Sequence, residues 1–293
     1  MMVKQTLYWL AVAMAAMAAP PALWAQGMEH GAHGDDSAAN ASANAPADAP
    51  PDARDPHAYS NGYTLESGPY ALYPQRQLHM ADEHSFGALQ VNRLERAYAR
   101  HGAGNATSYD AQARFGRDFD ALVLKADGEV AQGKLQDART ELLWSHAIAA
   151  YWDVQAGVRH DGGTGPDRSW LALGMQGLAP YGFDVDAAVY LGESGRTALR
   201  LGVEYELLLS QRLVLEPRAE FNLYGKDDAQ RGIGSGLANG TYGLRLRYEI
   251  HRQLAPYVGV EHANRYGQTA DLARMTGEPA GQTRWVAGLR FWF

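Results

Sequence analysis

The hydrophobic pattern of residues 86–293 repeats with a period of two, and this repeat constrains the fold more than any other feature of the chain. Segments of roughly ten residues alternate apolar with polar side chains, and short stretches rich in glycine or aspartate separate them. Successive side chains of a β-strand point to opposite faces, so each segment is predicted to be a strand with one apolar and one polar face. The chain is therefore predicted to be all-β over this range.

The polar faces indicate that these strands surround water. In residues 242–250 the apolar face alternates with Arg245, Arg247 and Glu249, and charges of both signs suit a watery lumen better than a dry core. The segments approach the roughly 9–11 residues that a tilted strand needs to cross a bilayer. Aromatic residues gather at segment ends, as expected at membrane interfaces. A soluble sandwich would also alternate, but these features favour a membrane barrel.

Counting hairpins predicts an up-and-down antiparallel transmembrane β-barrel of about 12 strands, with 10 or 14 as alternatives. The last alternating segment ends on Phe293. It has to pair with the first strand, because lipid leaves no partner for an open edge. Bacterial outer-membrane proteins typically end on such an aromatic strand, which their assembly machinery recognises. The predicted partners are therefore the outer-membrane bilayer and, through Phe293, that machinery.

The N-terminal part predicts export. Residues 1–25 combine Lys4, an apolar run and a small residue at the predicted cleavage site, which is typical of a signal peptide. Residues 26–58 are rich in alanine, aspartate and proline and are predicted to be a disordered tail. Residues 59–85 are predicted to be a periplasmic segment before the barrel of residues 86–293. The expected location is the outer membrane of a Gram-negative cell.

Composition narrows the chemistry. The chain has no cysteine, so disulfides, thiolate metal sites and cysteine nucleophiles are excluded. Its formal net charge is -7 and it has no basic block, which argues against nucleic-acid binding. Common catalytic motifs are missing, and the adjacent Ser145 and His146 should face opposite sides of a strand. The chain is accordingly predicted not to be an enzyme. Residues 232–236, rich in glycine, are predicted to form a flexible barrel loop.

Methionine and histidine occur together outside the predicted strands. Thioether sulfur suits Cu(I) and imidazole suits copper or zinc, so these groups are candidate copper ligands, although the pattern does not set the oxidation state. The candidates are Met28, His30, His33, His79, Met80 and His84. Weaker candidates are His146 and His160, which could face the lumen or a rim, and Glu204 and Glu206, which are predicted to face the lumen.

The predicted lumen carries many charges, and two interpretations stay open. Opposite charges on neighbouring strands could pair and plug the barrel. Alternatively, acidic groups such as Glu204 and Glu206 with Glu216 and Glu220 could attract a cation into a polar path. The inward residues are predicted to be Arg159, Asp184, Asp186, Arg200, Glu204, Glu206, Glu216, Arg218, Glu220, Arg245, Arg247, Glu249 and Arg290.

Several blocks resemble the outer-membrane copper-resistance protein B family (CopB/PcoB). They are AIAAYWDVQAGVRHD (147–161), QGLAPY (176–181), EYELL (204–208), QRL (211–213), EFNLYG (220–225), GSGL (234–237), LRLRYEI (244–250), APYVGV (255–260) and FWF (291–293). The resemblance covers residues 68–293 and implies an outer-membrane barrel that binds copper beside periplasmic multicopper oxidase and copper-binding partners. It also singles out His79, Met80 and Asp82, which match the segment ahead of the first strand.

Family members commonly carry a longer region rich in methionine and histidine before the barrel. Here only Met28, His30 and His33 remain of it, which favours a binder with few sites or a conduit. The sequence thus predicts a copper resistance protein whose outer-membrane barrel binds copper for sequestration or passage and contributes to copper homeostasis. The alternatives are a barrel enzyme acting on lipid and a general porin-like barrel.

Overall fold

The computed structural model describes Asn61, residues 84–99 and residues 105–293, and its architecture is a closed antiparallel β-barrel. The strands are β1 (Phe86–Ala99), β2 (Ala106–Gly116), β3 (Asp120–Ala131), β4 (Lys134–Ala149), β5 (Trp152–Gly163), β6 (Arg168–Ala179), β7 (Phe183–Gly192), β8 (Thr197–Tyr205), β9 (Leu207–Leu208), β10 (Leu213–Tyr224), β11 (Gly236–Tyr248), β12 (Leu254–Arg265) and β13 (Gly281–Trp292). One α-helix, α1 (Gly267–Met275), follows β12. Short 3-10 turns occupy Pro180–Gly182, Glu193–Gly195 and Ala229–Arg231.

The predicted strand number is confirmed. Both β8 and the two-residue β9 pair with β10, so they are two parts of one barrel strand that is interrupted at Glu206. Counting them as one gives 12 strands, each paired with its neighbours in chain order. The alternating segment of residues 199–209 in the sequence spans this interruption.

The ring closes between the first and last strands, as the pattern predicted. In register, Gln90 lies opposite Trp292 and Ala99 opposite Arg284. The backbone N–H of Phe293 donates to the Leu89 carbonyl at 2.8 Å, and the Leu89 N–H donates to the Phe293 carbonyl at 3.0 Å. Every strand of the barrel therefore has two partners, which is what a lipid environment demands of backbone polar groups.

The two faces of the wall are inverted relative to a soluble protein. Large apolar side chains such as Leu171, Leu244 and Val258 are exposed on the outside, whereas Glu95, Arg159 and Arg245 are buried inside. This is the arrangement that the alternating pattern predicted, and it identifies the exposed apolar band as the lipid-facing surface. Within the described residues, no helix has the length and apolar character required to cross a membrane.

The connections differ between the two ends of the barrel. At the end that carries Phe86 and Phe293, called the termini end below, the turns are short: residues 117–119, 150–151, 180–182, 209–212 and 249–253. The opposite end, called the loop end, carries the two longest connections, residues 225–235 and 266–280, the second of which contains α1. Bacterial barrels have short periplasmic turns and longer outer loops, so the termini end is the periplasmic one.

Candidate functional site: the charged lumen

The most deeply buried charges of the lumen surround Arg245. Its guanidinium donates to both carboxylate oxygens of Glu95, at 2.9 and 3.1 Å, and to Glu261 at 2.8 Å. The Tyr257 hydroxyl also donates to Glu95, at 3.0 Å. The Arg245 and Glu95 side chains are 3% and 1% exposed, and charges so buried persist only when they are paired. The lumen at this level is therefore a satisfied ion-pair group that ties β1, β11 and β12 together.

Other ion pairs cross the bore. Arg139 on β4 lies 3.7 Å from Glu220 on β10, and Arg218 on β10 lies 3.5 Å from Asp110 on β2. At least four strands separate β10 from β2 and from β4 in either direction around the ring, so these contacts span the lumen rather than follow the wall. Arg200 adds a bidentate pair to Glu220, with both distances 3.0 Å. The structure thus supports the interpretation of the luminal charges as a network that plugs the barrel.

A polar cavity lies between this network and the termini end. Its volume is about 160 Å³. Its wall combines residues at mid-height with residues near the periplasmic mouth, among them Gln90, Asp110, Asp184, Glu204 and Arg290. The ion pairs of Arg218 and Arg200 form its inner limit. The cavity is a small polar vestibule on the periplasmic side of the plug.

Three carboxylates converge beside the vestibule. Oxygen atoms of Glu204, Glu206 and Glu216 all lie within 4.8 Å of one another, because Glu204 and Glu206 are two residues apart on one strand and Glu216 lies on the neighbouring β10. Arg247 contacts Glu206 and Glu216 at 3.0 and 2.7 Å, and Arg290 contacts Glu206 at 2.7 Å. Glu204, Glu206 and Glu216 were predicted to form one acidic group with Glu220, and in the structure the first three lie together. Glu220, the fourth residue of that predicted group, instead belongs to the bore-crossing network.

The two candidate histidines of the strands do not join this cluster. His146 is on the outer face near the termini end, where its Nδ1 lies 2.9 Å from Asp120 and its ring stacks on Trp144 at 5.4 Å. His160 is also on the outer face, toward the loop end, with its Nδ1 3.3 Å from Ser169 Oγ. From the sequence, His146 and His160 could have faced the lumen or a rim. In the structure both lie on the outer face, each near one rim of the barrel. His84 is exposed immediately before β1.

The remaining candidate ligands, Met28, His30, His33, His79 and Met80, lie outside the described residues. The same holds for Asp82, the signal peptide and the tail.

Ser145 and His146 face opposite sides of the wall, as expected for neighbours in a strand. Ser145 is fully buried inside and donates to Asp153 at 2.9 Å, whereas the His146 side chain is 42% exposed outside. This pair therefore has no geometry for proton transfer between its members.

The loop end is covered by a segment that we call the strap, residues 225–235. Asp228 accepts from Arg168 on β6 at 2.8 and 3.3 Å, and Arg231 donates to the Pro166 carbonyl at 2.9 Å and to Asp137 on β4 at 3.2 Å. The strap connects β10 to β11, so these contacts carry it over the mouth to β4 and β6. The glycine-rich residues 232–236 were predicted to be a flexible loop, but the Gly234 N–H donates to Thr269 of α1 at 2.9 Å.

Asp228 is the buried anchor of the strap. Burial raises the pKa of its carboxyl, but the hydrogen bond from Arg168 and the charges of Arg168, Arg196 and Arg231 outweigh burial, so the pKa lies below its ordinary value. The carboxylate is therefore ionised at neutral pH and pairs with Arg168 on β6 and with Arg196, which lies between β7 and β8.

Sequence reasoning missed several residues of the lumen. Glu95, Asp110, Arg139 and Glu261 all belong to its ion pairs, but none was among the predicted luminal residues. Period-two alternation in β1, β2, β4 and β12 was the signal that could have found them, and β1 is irregular between Val91 and Leu94, which shifts its register.

Comparison with known proteins gives consistent matches. A family profile described as "Copper resistance protein B precursor (CopB)" matches residues 85–293. The "Copper resistance protein B homolog" of Pseudomonas syringae pv. tomato is 42% identical over 286 residues, which is 97% of this chain and 94% of that protein. The "Copper resistance protein B" of Escherichia coli is 44% identical over 189 residues, 64% of either chain.

Among solved structures, the NanC porin is 12% identical and superposes with a TM-score of 0.46, over 69% of this chain and 98% of that one. That likeness is too weak to bear on function.

Proposed function

The chain belongs to the copper resistance protein B family and lies in the outer membrane after export, and on that premise we propose that it binds copper ions and so contributes to copper homeostasis. The observation that carries the proposal is the family match over residues 85–293 together with two relatives whose names state copper resistance. Family resemblance also supports periplasmic multicopper oxidase and copper-binding proteins as its working partners.

We assign copper capture to the residues that precede the barrel in the chain. Within the described part of the chain, the cluster with metal-binding geometry consists of carboxylates alone, and carboxylate oxygen suits hard cations better than copper. The candidate thioether and imidazole ligands that precede the barrel strands are Met28, His30, His33, His79, Met80 and His84. His79 and His84 are five residues apart and thus at most about 18 Å from one another. His84 lies two residues before β1, at the periplasmic end of the barrel.

The lumen favours retention over free passage. Ion pairs from Arg139 to Glu220 and from Arg218 to Asp110 cross the bore, and a hydrated cation would have to break them. The carboxylates Glu204, Glu206 and Glu216 at the vestibule would attract cations to the mouth, although Arg247 and Arg290 offset part of their charge. We therefore propose sequestration at the periplasmic end, with the barrel as a membrane anchor.

Copper titration of the purified full chain in detergent tests the assignment. The double variant His79→Ala/Met80→Leu removes two soft ligands, and we expect its copper affinity to fall at least about tenfold, the scale of metal-site losses. Copper content by mass spectrometry and competition with a Cu(I) chelator measure this. The matched control His262→Ala/Met275→Leu removes the same residue types from the barrel and should bind copper like the unmodified protein. Unchanged affinity in the first variant would exclude His79 and Met80 as ligands.

A further inference from the structure

A cation lies on the lipid-facing surface of the wall. Arg96 on β1 is exposed, whereas its neighbours Glu95 and Ala97 are buried inside the barrel. Leu94 and Tyr98, which share the outer face with Arg96, are 43% and 48% exposed. A charged side chain on this face is costly at the middle of the bilayer and far less so near the interfaces. The height of Arg96 in the wall therefore decides what it can contact.

Arg96 lies at the loop-end rim of the barrel. It is paired with Thr107 of β2, and the next pair, Ala97 with Ala106, is the last one of the β1–β2 ladder at this end. The loop end is opposite the periplasmic end, so Arg96 is at the level of the head groups of the outer leaflet. In a Gram-negative outer membrane the lipid of that leaflet is a glycolipid whose acylated sugars carry phosphate.

The guanidinium of Arg96 has hydrogen-bond donors to spare. Its Nη1 donates to Thr107 Oγ1 at 3.3 Å, which uses one of its five N–H groups. Within the part of the chain that the structure describes, Arg96 has no ion pair, because Glu95 and Asp110 face the lumen and are paired there. The connecting residues 100–105 contain no acidic residue. Arg96 thus offers a cation on the outer face, and a guanidinium matches the geometry of phosphate oxygens.

Aromatic rings flank Arg96 on both sides. Tyr98 is paired with Trp285 of β13, and the Trp285 side chain is 58% exposed. On the other side, Tyr109 of β2 is paired with the outward Leu94. The negative face of an aromatic ring attracts the C–H groups of a sugar ring, and tyrosine and tryptophan are at home at the membrane interface. We call Arg96, Tyr98, Thr107, Tyr109 and Trp285 the β1 patch.

We propose that the β1 patch binds a phosphorylated, acylated sugar, the head of an outer-leaflet glycolipid. Arg96 and Thr107 donate hydrogen bonds to the phosphate oxygens. Trp285 and Tyr98 pack against the sugar, and the acyl chains extend along the apolar wall toward the middle of the membrane. This site is at the opposite end of the barrel from the proposed copper ligands and does not depend on them.

Native mass spectrometry of the full chain, offered equal amounts of lipid A and of enzymatically dephosphorylated lipid A, tests the proposal. We expect the phosphorylated form to be retained at least about threefold more, the effect of an exposed ion pair. Arg96→Gln should remove this preference. The matched control is Arg212→Gln, which changes an exposed arginine in a turn at the termini end and should keep the preference. Equal retention of the two lipids by the unmodified protein, or an unchanged preference in Arg96→Gln, would overturn the proposal.

Two further measurements distinguish the glycolipid from phosphate alone. Trp285→Leu should lower the retention of both lipid forms several-fold, since it removes the surface for the sugar. Trp144→Leu, which removes an exposed tryptophan near the termini end, should not lower it. A large excess of inorganic phosphate should leave the lipid bound. Displacement of the lipid by phosphate, or unchanged retention by a Trp285→Leu variant with unchanged circular dichroism, would exclude a glycolipid site at the β1 patch.

Discussion

At the residue scale, Arg245 shows how strongly the lumen depends on complete pairing. Two carboxylates, Glu95 and Glu261, neutralise it, and the Tyr257 hydroxyl completes the hydrogen bonding of Glu95. Glu95 and Arg245 are separated by 150 residues in the chain. Their contact therefore forms only when the ring closes, and the pair can contribute to stability only in the finished barrel.

We expect Arg245→Ala to destabilise the barrel by about 3–5 kcal/mol, since it leaves buried carboxylates without their partner. Urea unfolding in detergent, followed by tryptophan fluorescence, measures the change. Arg274→Ala is the control, because Arg274 makes an exposed pair with Asp271 on α1 and should change stability by less than about 1 kcal/mol. A loss for Arg245→Ala no larger than that of the control would contradict the structural role of this group.

At the element scale, the strap shows that local composition does not decide whether a loop is mobile. Glycines in residues 232–236 permit many backbone conformations, and Gly232 and Gly236 do adopt positive φ angles of 68° and 84°. The strap is nevertheless anchored, because Asp228 and Arg231 find partners on strands that lie across the mouth. Those partners are 60 and 94 residues away in the chain, and no local pattern contains them.

Asp228→Asn should release the strap. It weakens hydrogen bonds from a charged donor, an effect of about 1.5–3 kcal/mol, so trypsin should cleave after Arg231 about tenfold faster or more. Arg231 is a specific reporter because its side chain is only 8% exposed. Asp271→Asn, which changes an exposed pair on α1, is the control and should leave cleavage after Arg231 unchanged. Equal cleavage of both variants would show that Asp228 does not hold the strap.

The Asp228 carboxyl also makes the stability of the folded barrel depend on pH, and the direction of this dependence follows from its pKa. Its pKa in the folded barrel is below the ordinary value of 3.8, so its contribution to stability is complete above that ordinary value and is lost as the pH falls through the lower, folded pKa. The difference in melting temperature between the unmodified protein and Asp228→Asn should therefore be constant from neutral pH down to about 5 and shrink below about 4. A difference that stays constant as the pH falls below 3.8 would contradict this assignment.

At the scale of the whole molecule, the barrel combines a lipid-facing exterior with an interior that its own side chains fill. Pairs across the bore join β4 and β2 to β10, and the strap covers the loop end. A vestibule of about 160 Å³ lies on the periplasmic side of these pairs. This arrangement fits a protein that holds an ion at one membrane surface.

In planar bilayers the unmodified protein should conduct far less than an open barrel of the same size, because the bore-crossing pairs obstruct it. Arg139→Ala/Arg218→Ala removes both crossing cations and should raise single-channel conductance several-fold. Arg265→Ala, which removes an exposed pair with Glu278 at the loop end, should not raise it. An unmodified protein that conducts as well as the double variant would favour passage through the lumen over sequestration.

Alternation along each strand was enough to predict the fold class, the number of strands and the closure of β13 on β1, because in-and-out periodicity is a local property of the backbone. It also predicted that Arg245, Glu216 and Glu220 point inward. The resemblance to the copper resistance protein B family could also be recognised from short blocks of the sequence, and the family match over residues 85–293 confirms it. Copper ligation by the N-terminal methionines and histidines stays a prediction.

Tertiary structure alone decided which inward charges meet. Glu204 and Glu206 share a cluster with Glu216, whereas Glu220 pairs across the bore, although all four have the same parity along their strands. It also anchored the strap. The reason is physical: parity selects a face of the wall, but the partner of a side chain depends on register, strand tilt and the curvature of a closed ring, and these are properties of all 12 strands together.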